Sequence, residues 1–236
     1  MQDPINPYAA PAAVEMHPKA AEWLGTPSPS LGRVANGLGL IRSGGILAIA
    51  AVALLVGGNI AGQQRLITFD VFKMLLIVFF GMVIIGGILN LVGKVLCLST
   101  PQETGAQGWI YTSVGTEVIS LGIQLTSLFV PLPPTAVQLQ GLLNIVAAVT
   151  FILFLRRLGL FIGRTELAQR AVMWLVLGAV MFGVVVLFIV LNEPGRNGPL
   201  PAGYIGLLVV LVVLAVWVVK YLSLLADMKS AILTGR

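Results

Sequence analysis

Six long apolar stretches follow one another along the chain, each separated from the next by a short polar or turn-forming segment. Each stretch has about 20 residues, which is the length that an α-helix needs to cross a hydrocarbon core about 30 Å thick. The predicted spans are 41–61, 73–94, 109–130, 136–156, 170–191 and 203–223. Because they lack the alternation of a barrel strand, we predict an all-α fold, a polytopic membrane helical bundle with six transmembrane helices.

The first 33 residues have a different pattern. They contain six of the thirteen prolines and no long apolar run. This composition favours a disordered or polyproline II-like tail, and the lack of an apolar region near Met1 argues against a signal peptide. We therefore divide the chain into a Pro/Ala-rich cytoplasmic tail, 1–33, and a six-span transmembrane domain, 34–236. A docking role for the tail through Tyr8 or Trp23 is left open.

The connections between spans are short, so consecutive helices are expected to be antiparallel neighbours. The tight turn at 131–135 predicts that the third and fourth spans form a hairpin. Small residues four positions apart, such as Ala53, Gly57 and Ala61, allow close approach of helix backbones.

Composition excludes most soluble and enzymatic classes. The chain is 58% hydrophobic and 10% charged, with a mean hydropathy of +0.99, whereas soluble domains are about 25% charged. One histidine and one cysteine exclude a Cys/His metal site or a disulfide framework within one chain. No nucleophile elbow, P-loop or dinucleotide fingerprint occurs. We therefore expect no catalytic activity and no cofactor.

The positive charges indicate how the chain is threaded. With the N-terminus inside, the cytoplasmic side holds eleven of the fourteen Lys and Arg residues and the outer side holds three. The positive-inside bias then predicts that both termini are cytoplasmic. In this count Lys94 lies on the cytoplasmic side, and no Lys or Arg lies at midplane depth. The net charge of +5 comes from basic residues that flank the apolar stretches. We therefore expect them to contact anionic lipid headgroups and not nucleic acid.

The third span carries a polar stripe. Its members step by four and three residues and share one helix face: Ser113, Glu117, Ser120, Gln124 and Ser127. Glu117 lies about 12 Å along the helix from Trp109, close to the bilayer midplane. An ionisable group there costs at least about 2.5 kcal/mol and marks a candidate functional site. Asn144 on the fourth span has a comparable depth, so its amide is expected to donate a hydrogen bond to the Glu117 carboxyl.

Two interpretations of this stripe stay open. Glu117 is either a proton- or cation-binding carboxyl in a polar pathway or part of a polar seam between packed helices. Because desolvation penalises a charged carboxylate and no ionic partner is predicted, we expect Glu117 to be protonated or strongly hydrogen-bonded.

The connection between the fourth and fifth spans is basic. Its candidate contacts for anionic lipid or an acidic partner are Arg156, Arg157, Arg164 and Arg170. The alternative is that these arginines only determine topology. Gly163 is expected to end one helix in the left-handed conformation, and Glu166 to pair with Arg170 one turn later. Cys97 is interpreted as a small apolar interface residue.

Three segments resemble a known kind of protein: Asn6 to Ala9 with the proline-rich tail, Val95 to Ala106, and Phe154 to Gly159. They are similar to uncharacterised bacterial multi-spanning membrane proteins with six helices. The resemblance implies a bacterial inner (cytoplasmic) membrane location and a six-span domain. It carries no activity.

The leading hypothesis is a non-catalytic structural, assembly or partner-binding membrane protein. The expected partners are the lipid bilayer with its anionic headgroups and a membrane-protein partner or second copy, not nucleic acid. The alternative is a small-solute or ion transporter, proton-coupled through Glu117, whose path is lined by Ser113, Ser120, Gln124 and Asn144. A cavity that reaches Glu117 would favour transport, and a sealed stripe would favour assembly. An embedded enzyme ranks third because Glu117 lacks a second acid or base.

Overall fold

The computed structural model describes residues 29–127, 129–191 and 201–234, which form six long helices. Their bounds are α1 Pro29–Gln63, α2 Phe69–Cys97, α3 Gln107–Ser127, α4 Pro134–Phe161, α5 Thr165–Leu191 and α6 Pro201–Thr234. A single 3-10 turn at Gln102–Thr104 lies between α2 and α3. No strand occurs in these ranges, so the prediction of an all-α fold is confirmed.

The six helices coincide with the six predicted apolar stretches, and α1 begins earlier than expected. Residues 29–33, which the sequence pattern assigns to the tail, form the first turns of α1, and Leu31 is buried there. The rest of the predicted tail, with Tyr8 and Trp23, lies outside the described residues. The connection 192–200 between α5 and α6 lies outside them as well.

The helix ends follow ordinary capping chemistry. The Thr68 side chain accepts a hydrogen bond from the backbone N–H of Val71 and caps α2. Pro134 stands at the first position of α4, where its missing N–H is not needed. Gly163 has φ +72° directly after α4, which confirms the predicted left-handed residue at this helix end.

The helices form a ring in which sequential neighbours are antiparallel. Helix α1 packs against α2 and α6, α4 packs against α3 and α5, and α5 packs against α6. Of the helix pairs adjacent in this ring, α2 and α3 contact each other least. The predicted α3–α4 hairpin is present, with Ser113 beside Ala147 and Ser120 beside Asn144.

The α1–α2 pair is the closest one because glycines face each other along it. Gly37 lies opposite Gly93 and Gly44 lies opposite Gly86, seven residues apart on each helix. A Cβ at Gly93 would be 2.6 Å from the carbonyl oxygen of Gly37, so no larger residue fits without movement. Around Gly57, where the sequence predicts close approach, a Cβ would meet nothing within 4 Å.

The buried core is concentrated at one end of the bundle. It joins the first turns of α1, α3 and α5 to the last turns of α2, α4 and α6. Its largest fully buried side chains include Leu38, Ile110, Phe151, Phe154, Leu225 and Met228. The six helices therefore meet at this end, which we call the core end.

Away from the core end the helices expose apolar side chains. On α2, Ile77 is 71% exposed and Ile84 is 61% exposed. Within the described residues three helices are long and apolar enough to cross a membrane: Pro29–Gly62, Phe69–Cys97 and Pro134–Phe161. Their mean hydropathies are 2.1, 2.7 and 1.9 over the best 18-residue windows. Such surfaces are stable in lipid and not in water.

Candidate functional site

The Glu117 carboxylate of α3 faces α2 and is held there by two polar side chains. The Asn90 amide nitrogen donates a hydrogen bond to Oε1 at 2.8 Å. The Lys94 ammonium Nζ lies 2.5 Å from Oε2. The expectation that Glu117 is strongly hydrogen-bonded agrees with this geometry. The expectation that it has no ionic partner is wrong.

Lys94 reaches Glu117 because it is part of α2 and not of a loop. It lies in the last turn of that helix, and its side chain is only 8% exposed. Its Nζ also lies 5.2 Å from the centre of the Phe151 ring of α4, at cation–π distance. One long side chain thus contacts both α3 and α4. Because Lys94 is buried among helices, it does not count as a loop charge. The predicted count of Lys and Arg residues then becomes ten on the cytoplasmic side against three on the outer side.

Asn90 and Lys94 are four residues apart, so they share one face of α2. That face meets the Glu117 face of α3. In the described residues these are the side-chain hydrogen bonds that join α2 to α3. The weakest contact between neighbouring helices is therefore closed by polar groups.

Two serines of the predicted stripe fasten α3 to α4. The Ser113 hydroxyl donates to the carbonyl oxygen of Ala147 at 2.9 Å, and both groups are buried. The Ser120 hydroxyl donates to Asn144 Oδ1 at 2.7 Å. The expected hydrogen bond from Asn144 to Glu117 is therefore absent, because the turn of α3 that carries Glu117 points its carboxylate towards α2. This part of the stripe is a helix seam.

Gln124 does not join the group around Glu117. It lies near the far end of α3 and is exposed, and its backbone carbonyl accepts a hydrogen bond from the Ser127 hydroxyl at 2.6 Å. The stripe thus divides into three parts with different environments: two serines in a seam, one carboxylate in an ion pair, and an exposed end that holds Gln124 and Ser127.

A cavity of about 490 Å³ lies beside the ion pair, within the usual range for small-molecule sites. Helices α1, α2, α3, α4 and α6 all contribute to its wall. Its charged and amide-bearing residues are Asn90, Lys94, Glu117 and Asn144. The rest of the wall is apolar or aromatic and includes Phe151, Trp217 and Tyr221, the last two stacked with ring centres 6.0 Å apart.

The cavity lies between the packed core end and the part of the bundle whose helix faces are exposed. Phe151 at its base is fully packed in the core, whereas Ala48, Val83, Asn144 and Ala148 in its wall are exposed. Glu117 and Lys94 lie between these two zones. The ion pair therefore lies at the border between the packed core and the exposed part of the cavity wall.

The ion pair gives this site its electrostatic character. Taking two charges out of water costs several kcal/mol per ion, which their mutual attraction and hydrogen bonds must offset. One ammonium and one carboxylate leave the site with no net charge. The pair can hold a proton, an anion or a cation only if one partner changes its charge or its contact. No group of three or more His, Cys, Asp or Glu residues that would suit a metal ion occurs in the described part of the chain.

The four candidate arginines all lie exposed at the α4–α5 connection, near the core end. The Arg170 guanidinium pairs with the Asp227 carboxylate of α6 at 3.2 Å. The predicted pair between Glu166 and Arg170 is therefore replaced by a contact to another helix, because α6 packs against the first turn of α5. Cys97 is fully buried in the core, with its Sγ 3.9 Å from the carbonyl oxygen of Val34, as expected for an apolar interface residue.

No family model, no curated protein and no solved structure matches this chain. The arguments for function therefore come from the geometry of the site.

Proposed function

We propose that this protein is a membrane transporter for a small polar or ionised solute, with the ion pair of Lys94 and Glu117 as its binding centre. The observation that carries the proposal is the cavity of about 490 Å³ that reaches this pair. A purely structural seam gains little stability from a buried ion pair, since apolar residues of similar volume are often equally or more stabilising. Charged groups that line a cavity at membrane depth are instead typical of solute and ion sites.

The proposed arrangement in the membrane has six crossing helices. Three of them have the length and hydropathy of membrane spans, and the other three run antiparallel beside these with their ends in the same core. Ten cytoplasmic charges against three favour a cytoplasmic core end and cytoplasmic termini in a bacterial inner membrane. In this orientation we propose that the solute enters from the outside, through the exposed part of the cavity wall.

The contact between α2 and α3 supports a way for the site to open and close. These helices touch little apart from the bonds that Asn90 and Lys94 make to Glu117. A solute that competes for either charge would loosen this contact and let the α3–α4 hairpin move relative to α1 and α2. Such movement of one helix group against another around a fixed site is how many transporters work.

The proposal is tested by ligand-dependent stabilisation of the purified protein in detergent. Small anions, cations and zwitterions are screened by the shift in melting temperature. A ligand at 100 times its Kd stabilises the folded protein by about 2.7 kcal/mol. We expect stabilisation of the parent that is lost in the double variant Lys94→Gln/Glu117→Gln.

A matched control removes one positive and one negative charge that lie outside the cavity. Lys73 is exposed at the start of α2, and Glu103 is exposed in the turn before α3. The variant Lys73→Gln/Glu103→Gln should respond to ligands like the parent. Equal shifts in all three proteins, or no shift with any solute, would contradict a solute site at the ion pair.

A non-catalytic assembly role is the second candidate, and exposed polar groups favour it. Gln124 and Gln138 are exposed on α3 and α4, and the four arginines are exposed near the core end. A second copy or a partner helix could cover the glutamines, and anionic headgroups could bind the arginines. Light scattering of the protein extracted in mild detergent tests this role, since a monomer without bound protein would contradict it.

A further inference from the structure

We infer that the solute is a monovalent organic anion with an apolar body, such as a small monocarboxylate, and that it binds together with one proton taken up by Glu117. This inference rests on the proposed function and specifies its substrate class. It follows from the charges in the cavity and from the chemistry of the wall.

Few groups that can change charge face Glu117. Helix α2 contributes the Lys94 ammonium, and α6 contributes the Tyr221 phenol. Helix α1 contributes only apolar residues and glycines to the wall, and α4 contributes the Asn144 amide among apolar residues. No described residue of helix α5 lines the cavity. In the described wall, the balance between Lys94 and Glu117 therefore decides the charge of the site.

An anion and a proton depend on each other in this arrangement. While Glu117 is ionised, its carboxylate pairs with the Lys94 ammonium at 2.5 Å. An entering anion would then bring a second negative charge into a largely buried site. At an effective dielectric constant near 20, repulsion between two such charges about 4 Å apart would lower the affinity for the anion roughly a thousandfold. A proton on Glu117 removes this repulsion and leaves the Lys94 ammonium without a counter-ion.

The anion then replaces the Glu117 carboxylate as the partner of Lys94. The proton stays on Glu117, whose neutral carboxyl can still accept from the Asn90 amide. In the loaded site the anion balances the charge of Lys94, and Glu117 is neutral. The loaded site therefore has no net charge, like the resting site. Proton and anion therefore enter as an electroneutral pair, and each raises the affinity for the other by the same factor.

The wall restricts which anion fits. A single ammonium without an arginine matches one negative charge, because bidentate recognition of larger anions requires a guanidinium. The remaining lining is dominated by side chains such as Ile41, Ile152, Phe151 and Trp217. A ligand gains from this surface only if it carries a hydrocarbon or aromatic part. Inorganic ions such as chloride lack that part.

The test is isothermal titration calorimetry of the full chain in detergent with acetate, butyrate, benzoate and chloride. Each titration is made in two buffers with different ionisation enthalpies, so that the difference in heat reports protons taken up per anion. We expect one proton per carboxylate and affinity that rises about tenfold per unit fall in pH while that proton is taken up. Butyrate and benzoate should bind more tightly than acetate, and chloride most weakly.

Two variants separate the roles of the paired groups. In Glu117→Gln, a neutral amide stands where the protonated acid would be, so the anion should bind without proton uptake and without dependence on pH. The double variant Lys94→Gln/Glu117→Gln should not bind the anion, and Glu103→Gln should behave like the parent. If Glu117→Gln does not fold, the proton count of the parent alone decides the question.

Failure of this inference can be distinguished from failure of the proposed function. A carboxylate that binds the parent without proton uptake overturns the inference and leaves a solute site at the ion pair. The same holds for a cation that stabilises only proteins with an intact pair, or for chloride binding as tightly as butyrate. If no solute binds at all, both the inference and the proposed function are wrong.

Discussion

The ion pair between Lys94 and Glu117 should have a large energetic coupling, which a double-mutant cycle measures. Their side chains are only 8% and 16% exposed, so water can compensate little for a lost partner. Lys94→Gln leaves the Glu117 carboxylate with the Asn90 hydrogen bond and no cation. Removing one member of such a buried pair typically costs about 3–5 kcal/mol.

The reverse single variant should cost less. Glu117→Gln leaves the Lys94 ammonium over the Phe151 ring at 5.2 Å, and a desolvated cation–π contact retains up to about 2 kcal/mol. The double variant has no unpaired charge, and two amides can hydrogen-bond in the same space. We expect it to be within about 1 kcal/mol of the parent, since replacing a whole buried pair is often neutral.

The assay is equilibrium unfolding in detergent, followed by tryptophan fluorescence. The expected coupling is at least about 2 kcal/mol, which exceeds the deviation from additivity of about 0.3–0.5 kcal/mol that independent sites show. The same cycle on Lys73 and Glu103, which are exposed, should give a coupling near zero. Additive single variants at Lys94 and Glu117 would show that the two charges do not form the pair and would refute the site.

Three further predictions concern packing, surface charge and threading. Gly93→Ala should lower the free energy of unfolding by about 1–3 kcal/mol, because the new Cβ would lie 2.6 Å from the Gly37 carbonyl oxygen. Gly81→Ala is the control and should not lower it, because a Cβ at Gly81 would meet nothing within 4 Å. Asp227→Asn should cost less than about 1 kcal/mol in denaturation, because its pair with Arg170 is about half exposed. A reporter fused to the C-terminus should be cytoplasmic, and a periplasmic signal would overturn the proposed orientation.

Hydropathy predicted the helices well because apolar length is a strong signal and lipid permits few other structures. It could not predict which glycines make contact. The close approach uses Gly37, Gly44, Gly86 and Gly93, whose seven-residue spacing is visible in the sequence. Their pairing depends on how α1 and α2 are rotated, and no local pattern contains that information.

The sequence identified Glu117 but missed its partners. Lys94 lies three residues before the end of α2, where lysines usually extend to the headgroups, so the sequence pattern predicts that it lies on the cytoplasmic side. Its inward direction depends on α3 lying beside that turn. A usable signal existed, because Asn90 and Lys94 form a polar i,i+4 pair in the part of α2 after residue 73, which is otherwise apolar. Ser113 and Glu117 form a similar pair on α3.

The most direct test of the central claim is whether water-soluble reagents reach the cavity beside the ion pair. Ala148 lines the cavity and is exposed, whereas Ile85 is 54% exposed on the outer surface of α2. In liposomes, a charged thiol reagent should label Ala148→Cys quickly and Ile85→Cys hardly at all, with buried Cys97 as the unreactive background. Labelling of Ala148→Cys no faster than of Ile85→Cys would contradict an aqueous solute site.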